Sequence, residues 1–141
     1  MSNSSPERIV VGVDGSPEAA RALTWAVNEA RLRGAGVEVI HVFVVPDSVA
    51  GPSDQVLYPA LAEEAQEVLT GVLASAPSFD GLDVSHATRH GSPARVLVEE
   101  SADASLLVIG KRGGGGFGSL TIGSVASQCV HHANCAVVVV G

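Results

Sequence analysis

Short apolar runs that do not alternate with polar residues, each set off from the next by a segment of helical period, constrain this chain more than any single residue does. Arg8 to Asp14 reads RIVVGVD, Val37 to Val45 reads VEVIHVFVV, Ser105 to Gly110 reads SLLVIG and Cys135 to Val140 reads CAVVVV, with a shorter run over Asp83 to Arg89. Such runs belong to strands covered on both faces. Between the first two, Ala19, Ala20, Leu23, Ala26, Val27 and Ala30 recur at helical spacing and stop at Gly34, where a left-handed glycine closes a helix. Ser16 reads as the N-cap of that helix and Pro17 as its first residue, a position where no amide donor is missed. A second helix is expected over Pro59 to Ala76, started by Pro59, with Leu61, Ala65, Val68, Leu69 and Val72 inward and Glu63, Glu64 and Glu67 outward. Ser92 and Pro93 open a third over Ala94 to Ser101, a fourth covers Thr121 to His132, and residues 46–56 read as a long surface loop. Strict β-α alternation predicts an α/β fold, a five-stranded parallel doubly wound sheet with right-handed crossovers. Ligands of such sheets sit beyond the carboxyl ends of the strands, where strand order reverses.

The chain has 141 residues, of which 46% are hydrophobic but only 4% aromatic, so many small side chains, rather than a few rings, must fill the interior. One domain over 1–141 is expected, with the polar residues 1–6 as a disordered tail. Eight Lys and Arg stand against 15 Asp and Glu, a net charge of −7. That balance excludes general nucleic-acid binding, which draws its affinity from clustered cations; Lys111 and Arg112 are the adjacent basic pair. No apolar run approaches the roughly 20 residues that span a bilayer, and Met1 to Pro6 lacks a basic, then apolar, leader pattern. Cys129 and Cys135 are too few for a disulfide framework. A cytoplasmic protein with reduced thiols is the expectation.

Two strand ends carry the chemistry: Asp14-Gly15-Ser16 after the first run, and the segment GKRGGGGFGSLTIGSVAS from Gly110 after the fourth. Gly113, Gly115 and Gly118 satisfy a dinucleotide fingerprint literally, but too little chain follows for a second mononucleotide half, and Val138 stands where an acidic residue is wanted. No Gly-Lys-Ser or Gly-Lys-Thr makes a P-loop. The better reading is Gly110-x2-Gly113-x9-Gly123-Ser124. Glycines let backbone amides approach a phosphate chain, and the helix that follows presents free N–H groups and a positive dipole end. Ser124 can donate its hydroxyl, and Lys111 and Arg112 add local positive charge. A plain connecting loop feeding a closely packed helix is the alternative. Asp14 either bonds the backbone amides of its own turn or serves ribose hydroxyls or a cation. Cys129, His131, His132 and Cys135 form C-x-H-H-x-x-C, a spacing that matches no common zinc pattern, and His41 within an apolar strand reads as a satisfied core histidine. No nucleophile elbow or paired catalytic carboxylates appear.

The run VVGVDGS at Val10 to Ser16, the sequence Gly91-Ser92-Pro93-Ala94, the G-x2-G-x9-G-S motif and the terminal valines together resemble a single-domain bacterial universal stress protein of the ATP-binding subclass, over essentially the whole chain. The resemblance implies a Rossmann-like, adenine nucleotide alpha-hydrolase-like sheet of order 3-2-1-4-5 with four helices. It implies an ATP site, with Mg2+, in which Asp14 meets ribose or metal and backbone around Val42 meets adenine. The Gly110 to Val125 segment would wrap ribose and phosphates. The site residues so implied are Gly12, Asp14, Gly15, Ser16, Val42, Gly110, Lys111, Arg112, Gly113, Gly115, Gly116, Phe117, Gly123, Ser124 and Val125. It also implies a stress-response sensor or regulatory module with a regulatory protein partner, and a homodimer through the strand at 135–140. An apolar edge strand invites such pairing unless a helix of its own subunit covers it. Ala136 departs from the family, which places proline after this cysteine. A slow ATP hydrolase or ATP-using transferase, and an interaction module that binds no nucleotide, are the alternative functions.

Overall fold

The computed structural model of the chain describes residues 7–46, 54–112 and 122–141. Its elements run β1 (Arg8–Val13), α1 (Pro17–Arg33), β2 (Gly36–Phe43), α2 (Asp54–Ala74), β3 (Val84–His90), α3 (Pro93–Glu100), β4 (Leu106–Gly110), α4 (Ser124–His132) and β5 (Ala136–Val140). All five strands are parallel, in the order β3-β2-β1-β4-β5. Strand order therefore reverses between β1 and β4, where Ile9 stands opposite Leu106 and Val11 opposite Val108.

The apolar runs fail to alternate because both faces of the sheet are covered. Ile9, Val11 and Val13 point into a layer with Ala22, Leu23, Ala26 and Val27 of α1 and Leu69 of α2. Val10, Ile40, Leu107 and Ile109 point the other way, onto Ala94 and Leu97 of α3 and Ala126 and Cys129 of α4. Removing apolar surface from water at roughly 25 cal/mol per Å2 drives both layers together, and the small side chains on α1 let that helix lie close to the strands. Helix α1 begins as its sequence predicts: the Ser16 hydroxyl accepts the Ala19 N–H at 3.1 Å. It ends at Gly34, whose φ of +67° is the left-handed cap.

The second helix departs from expectation. It begins at Asp54, so Pro59 lies inside α2 rather than at its start, and residues 54–56 belong to the helix rather than to the loop. As the sixth residue, Pro59 lies just past the four opening amides that have no partner within a helix, so it costs α2 one amide bond in its second turn. The first turns are held to the sheet by Tyr58, whose ring lies 5.9 Å from Phe43 and 5.3 Å, edge-on, from His90. Strand β2 stops at Phe43 instead of Val45, and Val44 beyond it is 58% exposed. Helix α4 starts at Ser124, after Ile122 and Gly123, and not at residue 121. Among the described residues no helix is long and apolar enough to cross a membrane.

Candidate functional site

The crossovers that leave β1 and β4 run to opposite faces of the sheet, so the two strands part at their carboxyl ends and leave a crevice there. Three short segments meet at it. From β1 comes Asp14-Gly15-Ser16. Asp14 is exposed, and its Oδ1 accepts the Ser16 N–H at 2.9 Å, so the aspartate does bond its own turn. Gly15 has φ +84°, a backbone state that side chains disfavour, and Ser16 is buried as the cap of α1. Behind them, in β2, His41 is buried with Nδ1 at 2.8 Å from the Val13 carbonyl. A carbonyl only accepts, so Nδ1 carries the hydrogen and His41 is the satisfied core histidine its setting suggested.

From β4 comes Gly110. A Cβ here would lie 2.9 Å from Glu18 Cβ, 3.0 Å from the Glu18 carbonyl carbon and 3.1 Å from the Ala19 nitrogen. This glycine is thus required by the first turn of α1 crossing the strand end, a packing reason that holds whether or not a ligand is present. Lys111 follows and acts as a junction: its N–H donates to the Val140 carbonyl at 2.7 Å, and its own carbonyl accepts the Gly123 N–H at 2.8 Å. That second bond brings the start of α4 against the end of β4, uniting Gly110, Lys111, Gly123 and Ser124. Gly113, Gly115, Gly116 and Phe117 lie outside the described residues.

The two helix starts at this crevice differ electrically. Helix α1 has a hydroxyl cap in Ser16 and a carboxylate, Glu18, in its first turn. Helix α4 begins at Gly123 (φ −67°, ψ 160°) with no acidic residue in its first turn and, among the described residues, no side chain capping it. The positive end of α1 is answered from within the chain, whereas the start of α4, beside exposed Ser124, has no such side-chain answer among the described residues. A phosphate is the complement of such an end. The residues present therefore fit the phosphates of a nucleotide at the start of α4, beside Lys111, with exposed Asp14 at the neighbouring strand end.

Several expected site residues are also committed to packing or to partners within the chain. Gly12 is buried in β1, where a Cβ would stand 2.7 Å from Leu97 Cδ1 and 3.4 Å from Ile109 Cγ2, so it makes room for α3. Val42 pairs in register with Arg89 and, like Val125, packs against the α3–α4 layer. Arg112 Nη2 lies 3.0 Å from Glu18 Oε2, with side-chain exposures of 27% and 13%, so its charge is engaged by a carboxylate 94 residues away in sequence. Sequence reading missed Glu18 because nothing local marks it. It also missed the Phe43, Tyr58 and His90 rings at the ends of β2 and β3, where only the scarcity of aromatic residues could have drawn notice. In the C-x-H-H-x-x-C segment, Cys129 is fully buried and burial, followed by the neighbouring Cys135, pushes its thiol up to about 11, while His131 Nδ1 lies 2.8 Å from the Ser127 carbonyl. A groove of about 610 Å3 lined by Arg8, Arg31, Gly36 and Asp83 lies at the amino ends of the strands, opposite the crevice. Its arginines are engaged, Arg31 with the Ser78 and Asp80 carbonyls and Arg8 with Glu38.

Comparison with known proteins agrees with this architecture. The profile of the Universal stress protein family matches residues 6–141. A universal stress protein of Mycolicibacterium smegmatis is 34% identical over 142 residues, covering 94% of this chain and 47% of that protein. The chain thus spans about half the length of the first such relatives it matches. Among solved structures, universal stress protein UspA from Lactobacillus plantarum superposes with a TM-score of 0.75 at 26% identity, covering 99% of this chain and 100% of that one. The universal stress protein from Archaeoglobus fulgidus in complex with dAMP does so with a TM-score of 0.58 at 25% identity, over 97% and 98%. With the family profile spanning nearly every residue and the strand order matching, this chain belongs to the universal stress protein family.

Proposed function

We propose that this chain binds an adenine nucleotide at the β1/β4 reversal point, taking ATP together with Mg2+, and works as a nucleotide-dependent sensor or regulatory module in stress adaptation. The observation that carries the reading is the start of α4, which sits against Gly110 and Lys111 with no acid in its first turn and, among the described residues, no side-chain cap. The dAMP complex of the Archaeoglobus fulgidus relative supports an adenine nucleotide as the ligand class. In this reading the α4 amides, the Ser124 hydroxyl and Lys111 hold phosphates. Asp14 turns its exposed carboxylate to ribose or to the cation, and backbone near Val42 meets the base. Bound Mg2+ offsets polyphosphate charge. The chain acts in the cytoplasm with a regulatory protein partner and as a homodimer through 135–140. Support for the dimer comes from β5, which ends the sheet with Ala136 exposed and Val137 to Val140 half-buried, an apolar edge open to a second copy.

Ser124→Glu tests the site without threatening the helix, because an acid in the first turn favours α4 while occupying its positive end. Calorimetric titration with Mg2+ and ATP is expected to show binding in the wild type and a loss of tenfold or more in the variant, a difference of ~1.4 kcal/mol. Equal affinities would refute the site. Mass spectrometry of nucleotide retained by freshly purified protein identifies the natural ligand.

A further inference from the structure

We infer that Glu18, which has no place in the glycine motif, sets how strongly uptake of a polyphosphate by this chain depends on a divalent cation. This rests on the nucleotide reading above. Glu18 is the second residue of α1, its Oε2 lies 3.0 Å from Arg112 Nη2, and its side chain is only 13% exposed. Its backbone and Cβ are seated against Gly110 at distances that leave no room for another methyl group, so the carboxylate is anchored at the end of β4. Arg112 directly follows Lys111, whose carbonyl receives the Gly123 N–H. The carboxylate therefore stands at the same strand end as the first turn of α4.

A carboxylate is thus fixed where the phosphates would arrive, and the cation nearest to it, Arg112, is already engaged by it. A nucleoside monophosphate needs little beyond the helix amides and Lys111. A triphosphate brings roughly two further negative charges at neutral pH to a strand end that already holds the Glu18 carboxylate. A cation arriving with the triphosphate supplies the balance. Removing the Glu18 carboxylate takes away a repulsion in a partly buried, weakly screened position.

The test is calorimetric titration of ATP and of AMP, each with EDTA and with saturating Mg2+, on the wild-type chain and on Glu18→Gln. Metal-free ATP is expected to bind roughly tenfold more tightly to the variant. AMP is expected to gain clearly less, so the factor by which Mg2+ strengthens ATP binding shrinks. An unchanged Mg2+ factor, with ATP still bound, overturns the inference and leaves the nucleotide reading standing. A wild-type chain that binds neither nucleotide in any condition overturns that reading and this inference with it. A pair that merely ties α1 to β4 would lower the Tm without moving the Mg2+ factor. Should Glu18→Gln fail to fold by circular dichroism, Glu18→Ala keeps the Cβ packed against Gly110 and carries the same measurement.

Discussion

Gly110→Ala separates two reasons for having a glycine at the end of β4. The added methyl carbon would lie 2.9 Å from Glu18 Cβ, 3.0 Å from the Glu18 carbonyl carbon and 3.1 Å from the Ala19 nitrogen. Two of these three atoms are backbone of a helix turn that is capped by Ser16 and tied by Arg112, so the turn cannot yield without shifting α1. Overpacking of this kind costs typically 1–3 kcal/mol, and an unyielding backbone puts Gly110→Ala at the upper end, about 2–3 kcal/mol. For a chain of this size that lowers the Tm by roughly 6–10 °C. Gly12→Ala is the control. Its methyl would come nearer still, 2.7 Å, but to Leu97 Cδ1, the end of a side chain that can rotate, and the expected cost is about 1 kcal/mol. Differential scanning calorimetry of the two variants reads both effects. A larger loss for Gly12→Ala than for Gly110→Ala would refute the argument that backbone, not distance alone, decides. A Gly110→Ala chain that melts with the wild type but no longer binds nucleotide would show that ligand approach, and not packing, requires the glycine.

Ser16→Ala removes the cap of α1 and is expected to cost about 1 kcal/mol in urea unfolding, with Ser16→Asp recovering most of it. Gly34→Ala meets no atom within 4 Å, so its expected loss of about 1 kcal/mol is conformational alone, and Gly34→Asn should lose less. The Cys129 thiol, held at about 11 by burial first and Cys135 second, should be alkylated by iodoacetamide at pH 8 after Cys135. As pH rises, the unfolded chain, with a thiol near 8.5, releases this proton before the folded one does. The contribution of Cys129 to stability is therefore full below about 8.5 and is lost toward about 11. Unfolding midpoints measured across that range should fall less steeply in Cys129→Ala.

The alternation of apolar runs and helical segments made the layered sheet legible, because strands buried on two faces cannot alternate and a crossover must return on the correct side. Ser16, Pro17 and Gly34 were legible for the same reason, each answering a local backbone demand. What escaped was set by tertiary contact. Pro59 reads locally as a helix start, yet Tyr58 packing on Phe43 and His90 extends α2 to Asp54. The glycine at 110 reads as room for a ligand, yet the first turn of α1 occupies that room. Lys111 and Arg112 read as one basic patch, yet Glu18 from the far end of the chain engages Arg112. In each case the deciding partner lies on another element, beyond the reach of spacing and propensity.

The peptide of Lys111 has a further consequence. One side of it is bonded to β5 and the other to Gly123, so a single residue fastens the end of β4 both to the edge strand and to the start of α4. A change that shifts this one residue therefore moves β5 and the first turn of α4 together, and strain applied at the sheet edge is felt at the mouth of the crevice.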